Sequence, residues 1–233
     1  MTKRIYCMSD IHGDLNAFVQ SLGYIDKDLR DVDTKLILLG DYVHGPDSYG
    51  VLKKIQSLQK ELGDRCQVLR GNHEEMCLDG RWPFTENRDG SVNEIVEDEE
   101  EMLVWMKTLP LFYVEEGCHY IFCHAGIEEG EDEESASYWQ WSTDDYTFLE
   151  KYPAQTGTFF GNMTIVAGHI GTYQISGDKD YHDIFWDGQS HIYCDGTTEV
   201  SGKVPVLMID VEKGKFFQVD SDGKHMIRPK GEY

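Results

Sequence analysis

The stretch that decides the fold is IYCMSDIHGD, residues 5–14. Its first four residues form a β-rich run, and the next six include two carboxylates, at Asp10 and Asp14, and an imidazole, at His12. Gly13 follows, and a glycine lets the backbone approach a ligand closely. A strand that ends in such side chains is typical of a site at the edge of a sheet.

The same pattern occurs four more times along the chain. The four β-rich runs and their polar ends are LILLGDY (36–42), QVLRGNHE (67–74), YIFCHAG (120–126) and TIVAGH (164–169). Helical patterns lie between the early strands, at 15–22, 51–62 and 95–109, and further strand-like runs follow at 191–194, 204–209 and 215–219. This order predicts a layered α/β (α+β) protein, with two sheets packed together and helices outside.

Length and composition restrict the class of protein. The 233 residues fit one domain, and 40% of them are hydrophobic, which excludes global disorder. We expect a single domain over residues 1–233, with acidic cap-like insertions near 80–103 and 128–160. Asp and Glu total 43 against 21 for Lys and Arg, and the formal charge of −22 argues against nucleic acid or an anionic membrane as partner.

The cysteines and the N-terminal sequence predict a cytoplasmic protein. The six cysteines lack C-x-x-C spacing, and the first apolar stretch stops at Ser9 and Asp10, too early for a signal peptide. We therefore expect reduced thiols in the core. No apolar run reaches the length that a membrane-spanning helix needs.

The polar groups at the strand ends form one candidate site, because open α/β sheets gather the ends of several strands in one crevice. The groups are Asp10, His12, Asp41, Asn72, His73, His124 and His169. Carboxylate, imidazole and amide donors without a thiolate suit a hard or borderline divalent ion. The set exceeds the needs of one ion, so we expect two ions that share a carboxylate, about 3.5–4 Å apart.

The ordered motifs resemble those of a known family. SDIHG (9–13), GDY (40–42), RGNHE (70–74), HAG (124–126) and GH (168–169) are similar to the signature of the calcineurin-like metallophosphoesterases. GPDS (45–48) and the RGNHE form resemble one branch of that family. This branch holds the PPP-type serine/threonine phosphatases, small bacterial and phage protein phosphatases, and symmetrical diadenosine-tetraphosphate hydrolases.

The resemblance implies a four-layered αββα sandwich and a site for two divalent metal ions. Mn²⁺ is the first candidate, with Fe, Zn or Ni as alternatives. The implied ligands are Asp10 and His12 for the first ion, Asp41 as the bridge between the ions, and Asn72, His124 and His169 for the second ion.

The resemblance also implies roles in catalysis. A hydroxide that bridges the two ions would attack phosphorus, and His73 would stand outside the metal shell and protonate the leaving group. The residues expected to contact the substrate phosphate are Arg70, Asn72 and His44.

The sequence departs from the family after Asp41. Relatives read GDY(V/I)DRGPDS, whereas this chain reads GDYVHGPDS (40–48), so His44 stands where an aspartate and an arginine are usual. In the family that aspartate orients the acidic histidine, and that arginine binds phosphate. Three interpretations of His44 stay open: it donates to phosphate, it pairs with His73, or it is an exposed loop histidine. A second phosphate-binding arginine is missing from WQWSTDD (139–145), which leaves Arg70.

These departures shape the predicted function. The primary prediction is a phosphomonoesterase that acts on phosphorylated proteins or peptides, or on small phosphate esters. Without a carboxylate partner the pKa of His73 should be lower than in relatives, so we expect aryl phosphates and phosphotyrosine to react better than phosphoserine. One alternative is a diadenosine-tetraphosphate or nucleotide hydrolase, which the charge of −22 and the missing arginines disfavour. Another is a metal-bearing phospho-binding module with decayed activity.

Overall fold

The computed structural model describes residues 2–92, 98–115, 117–130 and 132–229, without the side chains of residues 133 and 135. Its strands are β1 (Arg4–Met8), β2 (Thr34–Leu38), β3 (Cys66–Val68), β4 (Phe112–Val114), β5 (Tyr120–Cys123), β6 (Thr164–Ala167), β7 (Phe185–Trp186), β8 (His191–Tyr193), β9 (Val206–Asp210), β10 (Lys215–Asp220) and β11 (Gly223–Met226). Its helices are α1 (Leu15–Leu29), α2 (Ser48–Leu62), α3 (Asn72–Leu78), α4 (Glu99–Lys107), α5 (Glu133–Ala136), α6 (Trp139–Ser142), α7 (Asp145–Glu150), α8 (Thr172–Ser176) and α9 (Thr198–Ser201).

Two mixed sheets form the centre of the fold, and the predicted fold class is confirmed. The first sheet has the order β11-β10-β9-β1-β2-β3, with β1, β2 and β3 parallel and the remaining pairs antiparallel. The second has the order β4-β5-β6-β8-β7, with β5, β6 and β8 parallel and both edge strands antiparallel. The parallel strands of each sheet therefore present their carboxyl ends together.

Alternation along the strands explains how the layers pack. In β1, Ile5 and Cys7 belong to the core between the sheets, together with Phe122 of β5, whereas Tyr6 and Met8 belong to the core under α1 and α2. Neighbouring strand residues face opposite sides, so one strand serves two cores. On the outer side of the second sheet, a third core contains side chains of α6 and α7. The order of layers is helix, sheet, sheet, helix.

Three strands are not predicted from the sequence, and each lies at the edge of a sheet. They are β4, β7 and β11. An edge strand pairs on one side only, so a short and mixed sequence is enough to form it. The third predicted helix, expected over 95–109, covers Glu99–Lys107 within the described residues. Residues 93–97 of the first acidic insertion and residue 131 of the second lie outside the described residues.

The described part of the chain contains no helix long and apolar enough to cross a bilayer. The six cysteines are free thiols, and five of them are buried, as expected, while Cys118 is partly exposed.

Candidate metal centre

Strand ends from both sheets meet at a cavity of about 180 Å³. Asp10 follows β1, Asp41 follows β2, and Asn72 begins α3 with three residues between it and the end of β3. The second sheet brings His124 after β5 and His169 after β6. The structure thus brings together the residues that the motifs select, although they come from sequence positions more than 150 residues apart.

Four donors form one group around Asp41. The Nε2 atom of His124 lies 3.4 Å from Oδ1 of Asp41 and 2.9 Å from Oδ1 of Asn72, and Nδ1 of His169 lies 3.2 Å from the same Asn72 oxygen. Ligands held about 2.0–2.2 Å from one ion lie about 3–4 Å from one another. The group has the donor types and the spacing that a divalent ion needs.

A second group lies on the other side of Asp41. The Nε2 atom of His12 is 3.9 Å from Oδ1 of Asp10 and 4.0 Å from Oδ2 of Asp41. Nε2 of His73 is 3.7 Å from the same Asp41 oxygen, so spacing alone does not separate His73 from the ligand groups. Each Asp41 oxygen faces one group, which is the arrangement that a bridging carboxylate requires.

The protonation of three histidines fits metal binding. Burial lowers the pKa of His12 and of His169 to about 4, so both are neutral at pH 7 and offer a lone pair. At His124 burial acts in the same direction and is the largest single cause, but the charge and hydrogen bond of Asp41 together with the charges of Asp10 and Glu74 raise the pKa to about 9. Nδ1 of His124 faces the carbonyl oxygen of Leu39 at 3.0 Å, and a cation would therefore replace the proton on Nε2.

The backbone around this centre is strained. Asp10, His12, Asp41 and His169 have φ between 46° and 65°, the left-handed region that residues with a side chain rarely occupy. Hydrogen bonds hold the two loops against each other, from the N–H of Asp10 to the carbonyl of Gly40 (3.1 Å) and from the N–H of His12 to the carbonyl of Asp41 (3.0 Å). Such strain, maintained by surrounding bonds, is typical of functional sites.

Glu74 fixes the loop that carries Asp41 by hydrogen bonds to its backbone. It is fully buried, and its carboxylate accepts hydrogen bonds from the N–H groups of Asp41 (2.8 Å), Tyr42 (2.7 Å) and Gly71 (2.9 Å). Glu74 belongs to the RGNHE motif (70–74), which by itself predicts no role for this residue. Three backbone donors on one carboxylate make it the support that joins the loops after β2 and β3.

Comparison with known proteins identifies the family. The family model for calcineurin-like phosphoesterases matches residues 3–195, most of the chain. The chain belongs to the calcineurin-like phosphoesterase family. Members use divalent metal ions in a dinuclear site, and the two donor groups around Asp41 are this chain's candidates for it.

Three known proteins are similar to this chain, one in sequence and two in fold. The symmetrical bis(5'-nucleosyl)-tetraphosphatase of Proteus mirabilis is 29% identical over 162 residues, which cover 68% of this chain and 57% of that protein. The chain spans about half the length of the curated relatives it matches. The cold-active protein-tyrosine phosphatase of a Shewanella species has a TM-score of 0.65 and 16% identity, covering 98% of this chain and 81% of that one. A protein serine/threonine phosphatase of Saccharomyces cerevisiae has a TM-score of 0.59 and 13% identity, covering 99% of this chain and 81% of that one. The two structures show likeness of fold alone.

His44, where the family motif departs, is fully buried and pairs with His73. Their Nδ1 atoms are 2.7 Å apart, and His44 stacks on Trp82 with ring centroids 3.9 Å apart. The structure therefore rules out the exposed loop histidine and places His44 behind His73. Nε2 of His44 faces the carbonyl oxygen of Trp82 at 3.1 Å, which assigns the proton of a neutral His44 to Nε2. Nδ1 of His44 then accepts from Nδ1–H of His73, and Nε2 of His73 is free to face the cavity.

The pKa of His73 is lowered from its ordinary value. Burial is the main cause, and Asp41 opposes it. The pKa of His44 is lowered to about 4, again mainly by burial, so His44 is neutral at pH 7. Orientation of His73 is thus preserved in this chain, whereas the negative charge that would stabilise its protonated form is absent from the His44 position.

Arg70 lies apart from the cavity. Its Nε is 3.2 Å from Oε2 of Glu75, and it is not among the described residues that line the cavity. A different arginine, Arg88, lines the cavity instead, from the segment between α3 and α4. Sequence reasoning missed Arg88 because no motif surrounds it.

Asp195 is the other residue that sequence reasoning missed. It follows β8, it is nearly buried, and it lines the cavity beside Asp10. Burial raises the pKa of Asp195 to about 7. The rule that selects Asp10 and Asp41, a polar residue directly after a β-rich run, also selects Asp195 after the run at 191–194. Glu199, at the start of α9, completes this side of the wall.

Proposed function

We propose that this chain is a metal-dependent hydrolase of dinucleoside polyphosphates that cleaves a phosphoric anhydride bond. In the proposed reaction water adds to phosphorus, the bond from phosphorus to the bridging oxygen breaks, and a nucleotide leaves as an anion. The sequence alone favours a phosphomonoesterase and leaves a dinucleoside-polyphosphate hydrolase as the alternative. The proposal puts the hydrolase first. The Proteus mirabilis relative supports the reversal, because its activity is that of a bis(5'-nucleosyl)-tetraphosphatase.

The observation that carries the proposal is the bond between His73 and His44. A neutral imidazole orients His73 but lends its protonated form no charge, so proton donation to a leaving group is weakened. A serine alkoxide is a strong base and needs that proton. A leaving nucleotide has a phosphate that ionises near pH 6 and departs without it. The pair therefore favours anhydrides over phosphoserine esters.

The ions belong to the two groups around Asp41. We assign Asp10 and His12 to the first ion, Asn72, His124 and His169 to the second, and Asp41 to both. When bound, the ions supply a water of lowered pKa and neutralise charge on the phosphoryl oxygens. Carboxylate, imidazole and amide donors suit Mn²⁺, with Fe, Zn and Ni as alternatives.

The protein's own groups hold the reacting parts in place. Asp41 and Glu74 fix the two loops, and His73 presents Nε2 to the cavity 3.7 Å from Asp41. In this position the Nε2 lone pair of neutral His73 accepts a hydrogen bond from the attacking water and orients it. A group fixed in this way lowers the barrier because it needs no reorganisation during the reaction.

Aryl phosphates and phosphotyrosine are the second candidate substrates. The same pair supports them, because a phenolate is also a better leaving group than an alkoxide. Phosphoserine proteins rank last in this proposal.

The test measures the products formed from diadenosine tetraphosphate by the Mn²⁺-loaded protein. The kcat/KM for diadenosine tetraphosphate is compared with the values for p-nitrophenyl phosphate, a phosphotyrosine peptide and a phosphoserine peptide. We expect the highest kcat/KM for the dinucleotide, loss of activity with a chelator, and recovery with Mn²⁺. Asp41→Asn should abolish turnover, whereas Asp47→Asn, at the exposed N-cap of α2, should not. Highest efficiency on phosphoserine would overturn the proposal, and binding without turnover of any substrate would favour the binding module.

A further inference from the structure

We propose that Arg88 is the arginine that binds the substrate phosphate, and that Glu199 holds its guanidinium until a phosphate takes the place of that carboxylate. The inference rests on the proposed function for the phosphate chemistry of the substrate. Arg88 lies in no motif of the family. It would take over the binding of phosphate from the two arginines that this chain lacks.

Arg88 is positioned at the first donor group. Its Nη2 lies 3.2 Å from Nε2 and 3.4 Å from Nδ1 of His12. A donor aligned with the lone pair of one imidazole nitrogen would lie far from the other nitrogen. The nearly equal distances therefore show that Arg88 does not take the lone pair that His12 offers to an ion. The guanidinium instead stands beside the His12 ring, on the wall of the cavity.

The cavity wall carries many carboxylates, so a phosphate bound there needs a cationic side chain. Four carboxylates line it, those of Asp10, Asp41, Asp195 and Glu199. Among the described residues that line the cavity, Arg88 is the only lysine or arginine. The planar fork of a guanidinium matches two phosphate oxygens, which a distant ammonium group does not replace.

The pair with Glu199 supplies a resting position for Arg88. Nη1 of Arg88 lies 2.6 Å from Oε1 of Glu199, and the two side chains are 41% and 33% exposed. An ion pair this open to water is weak, so a phosphate dianion can replace the carboxylate. Glu199 itself is held near the site, since the hydroxyl of its neighbour Thr198 donates to the carbonyl of Asp10 at 2.7 Å.

Three single variants test this arrangement, and Arg88→Ala and Glu199→Gln should change the affinity for phosphate in opposite directions. Inorganic phosphate is titrated by calorimetry into the Mn²⁺-loaded protein. Arg88→Ala should weaken phosphate binding about 10- to 100-fold, because a charge-assisted hydrogen-bond pair is lost, and Arg88→Lys should lie between. Glu199→Gln should tighten binding by up to about fivefold, because the competing carboxylate is gone. Bound Mn²⁺ and the melting temperature serve as controls.

A purely structural ion pair would give a different result. In that case neither variant would tighten phosphate binding. Unchanged binding in Arg88→Ala, or weaker or unchanged binding in Glu199→Gln, would overturn the assignment. Failure of the parent protein to bind phosphate would overturn it as well. If phosphate binding depends on Arg88 but diadenosine tetraphosphate is not cleaved, the proposed function fails and the assignment of Arg88 stands.

Discussion

The Nδ1 atoms of His44 and His73 lie 2.7 Å apart, so two buried imidazoles share a hydrogen bond beside the candidate metal centre. One of them, His44, is fixed by the carbonyl oxygen of Trp82 and accepts the bond. An aspartate at position 44 would both orient His73 and stabilise its protonated form by a negative charge. Neutral His44 orients His73 but supplies no charge, so the two effects are separated in this chain. The choice of substrate should follow from this separation, because orientation helps every substrate and charge helps those with poor leaving groups.

Restoring the charge at position 44 should change the preference among esters. In His44→Asp a carboxylate oxygen replaces Nδ1 and stabilises protonated His73, so we expect kcat on a phosphoserine peptide to rise relative to p-nitrophenyl phosphate by about tenfold or more. His44→Asn has the same size without the charge and should leave the ratio unchanged. Steady-state kinetics on both substrates give the answer, and equal ratios in the two variants would contradict the role of charge.

Much of this site is predictable because chain order and sheet geometry coincide. Asp10, Asp41, Asn72, His124 and His169 each follow a β-rich run, and parallel strands bring such ends together. Asp195 obeys the same rule and could have been selected.

Other parts of the site depend on tertiary contacts that no local pattern records. Arg88 reaches the cavity from an irregular segment, and its partner Glu199 is 111 residues away. Arg70 lies inside a strong motif, yet its guanidinium turns to Glu75. The pairing of His44 with His73 is one of three interpretations that the sequence leaves open, because a loop sequence does not determine which side of the loop is buried.

Glu74 should matter for stability as well as for the site. In Glu74→Gln the amide group presents donors of its own to the N–H groups of Asp41 and Tyr42, and at least one buried N–H loses its acceptor. We expect a loss of about 1–3 kcal/mol in the free energy of unfolding, measured in urea, together with weaker Mn²⁺ binding. Glu75→Gln, one residue further along α3 and partly exposed, is the matched control and should change neither by as much. An unchanged unfolding free energy in Glu74→Gln would contradict the supporting role.

Gly168 should tolerate no side chain. A Cβ there would lie 2.0 Å from Oγ of Ser9 and 2.2 Å from Oδ2 of Asp10, so Gly168→Ala must displace Asp10. We expect Mn²⁺ affinity to fall about tenfold or more, since ligand geometry sets affinity. Gly23→Ala, in α1 with no atom within 4 Å of the new Cβ, should leave Mn²⁺ binding intact and stabilise the protein by about 0.5–1 kcal/mol. Equal Mn²⁺ affinity in the two variants would refute this account.

A buried ionic cluster of His191, Asp187 and Glu129 should make stability depend on pH. His191, only 1% exposed, lies between Asp187, at 2.8 Å from Nδ1, and Glu129, at 3.0 Å from Nε2. Burial acts to lower the pKa of His191, but the hydrogen bonds to Asp187 and Glu129 outweigh it and raise the pKa to about 9. The folded state therefore holds a proton that the unfolded chain releases near pH 6.5.

The sign of the effect follows from that difference. The contribution of His191 to stability is fully present below about pH 6.5 and is lost as the pH rises through about 9. Its size is up to about 3 kcal/mol, since each unit of pKa difference corresponds to about 1.4 kcal/mol. The free energy of unfolding in urea, measured at about pH 6 and about pH 10, should fall more in the parent protein than in His191→Gln. The exposed His225→Gln should behave as the parent does. Parallel pH profiles for the parent and His191→Gln would show that His191 is not protonated in the fold.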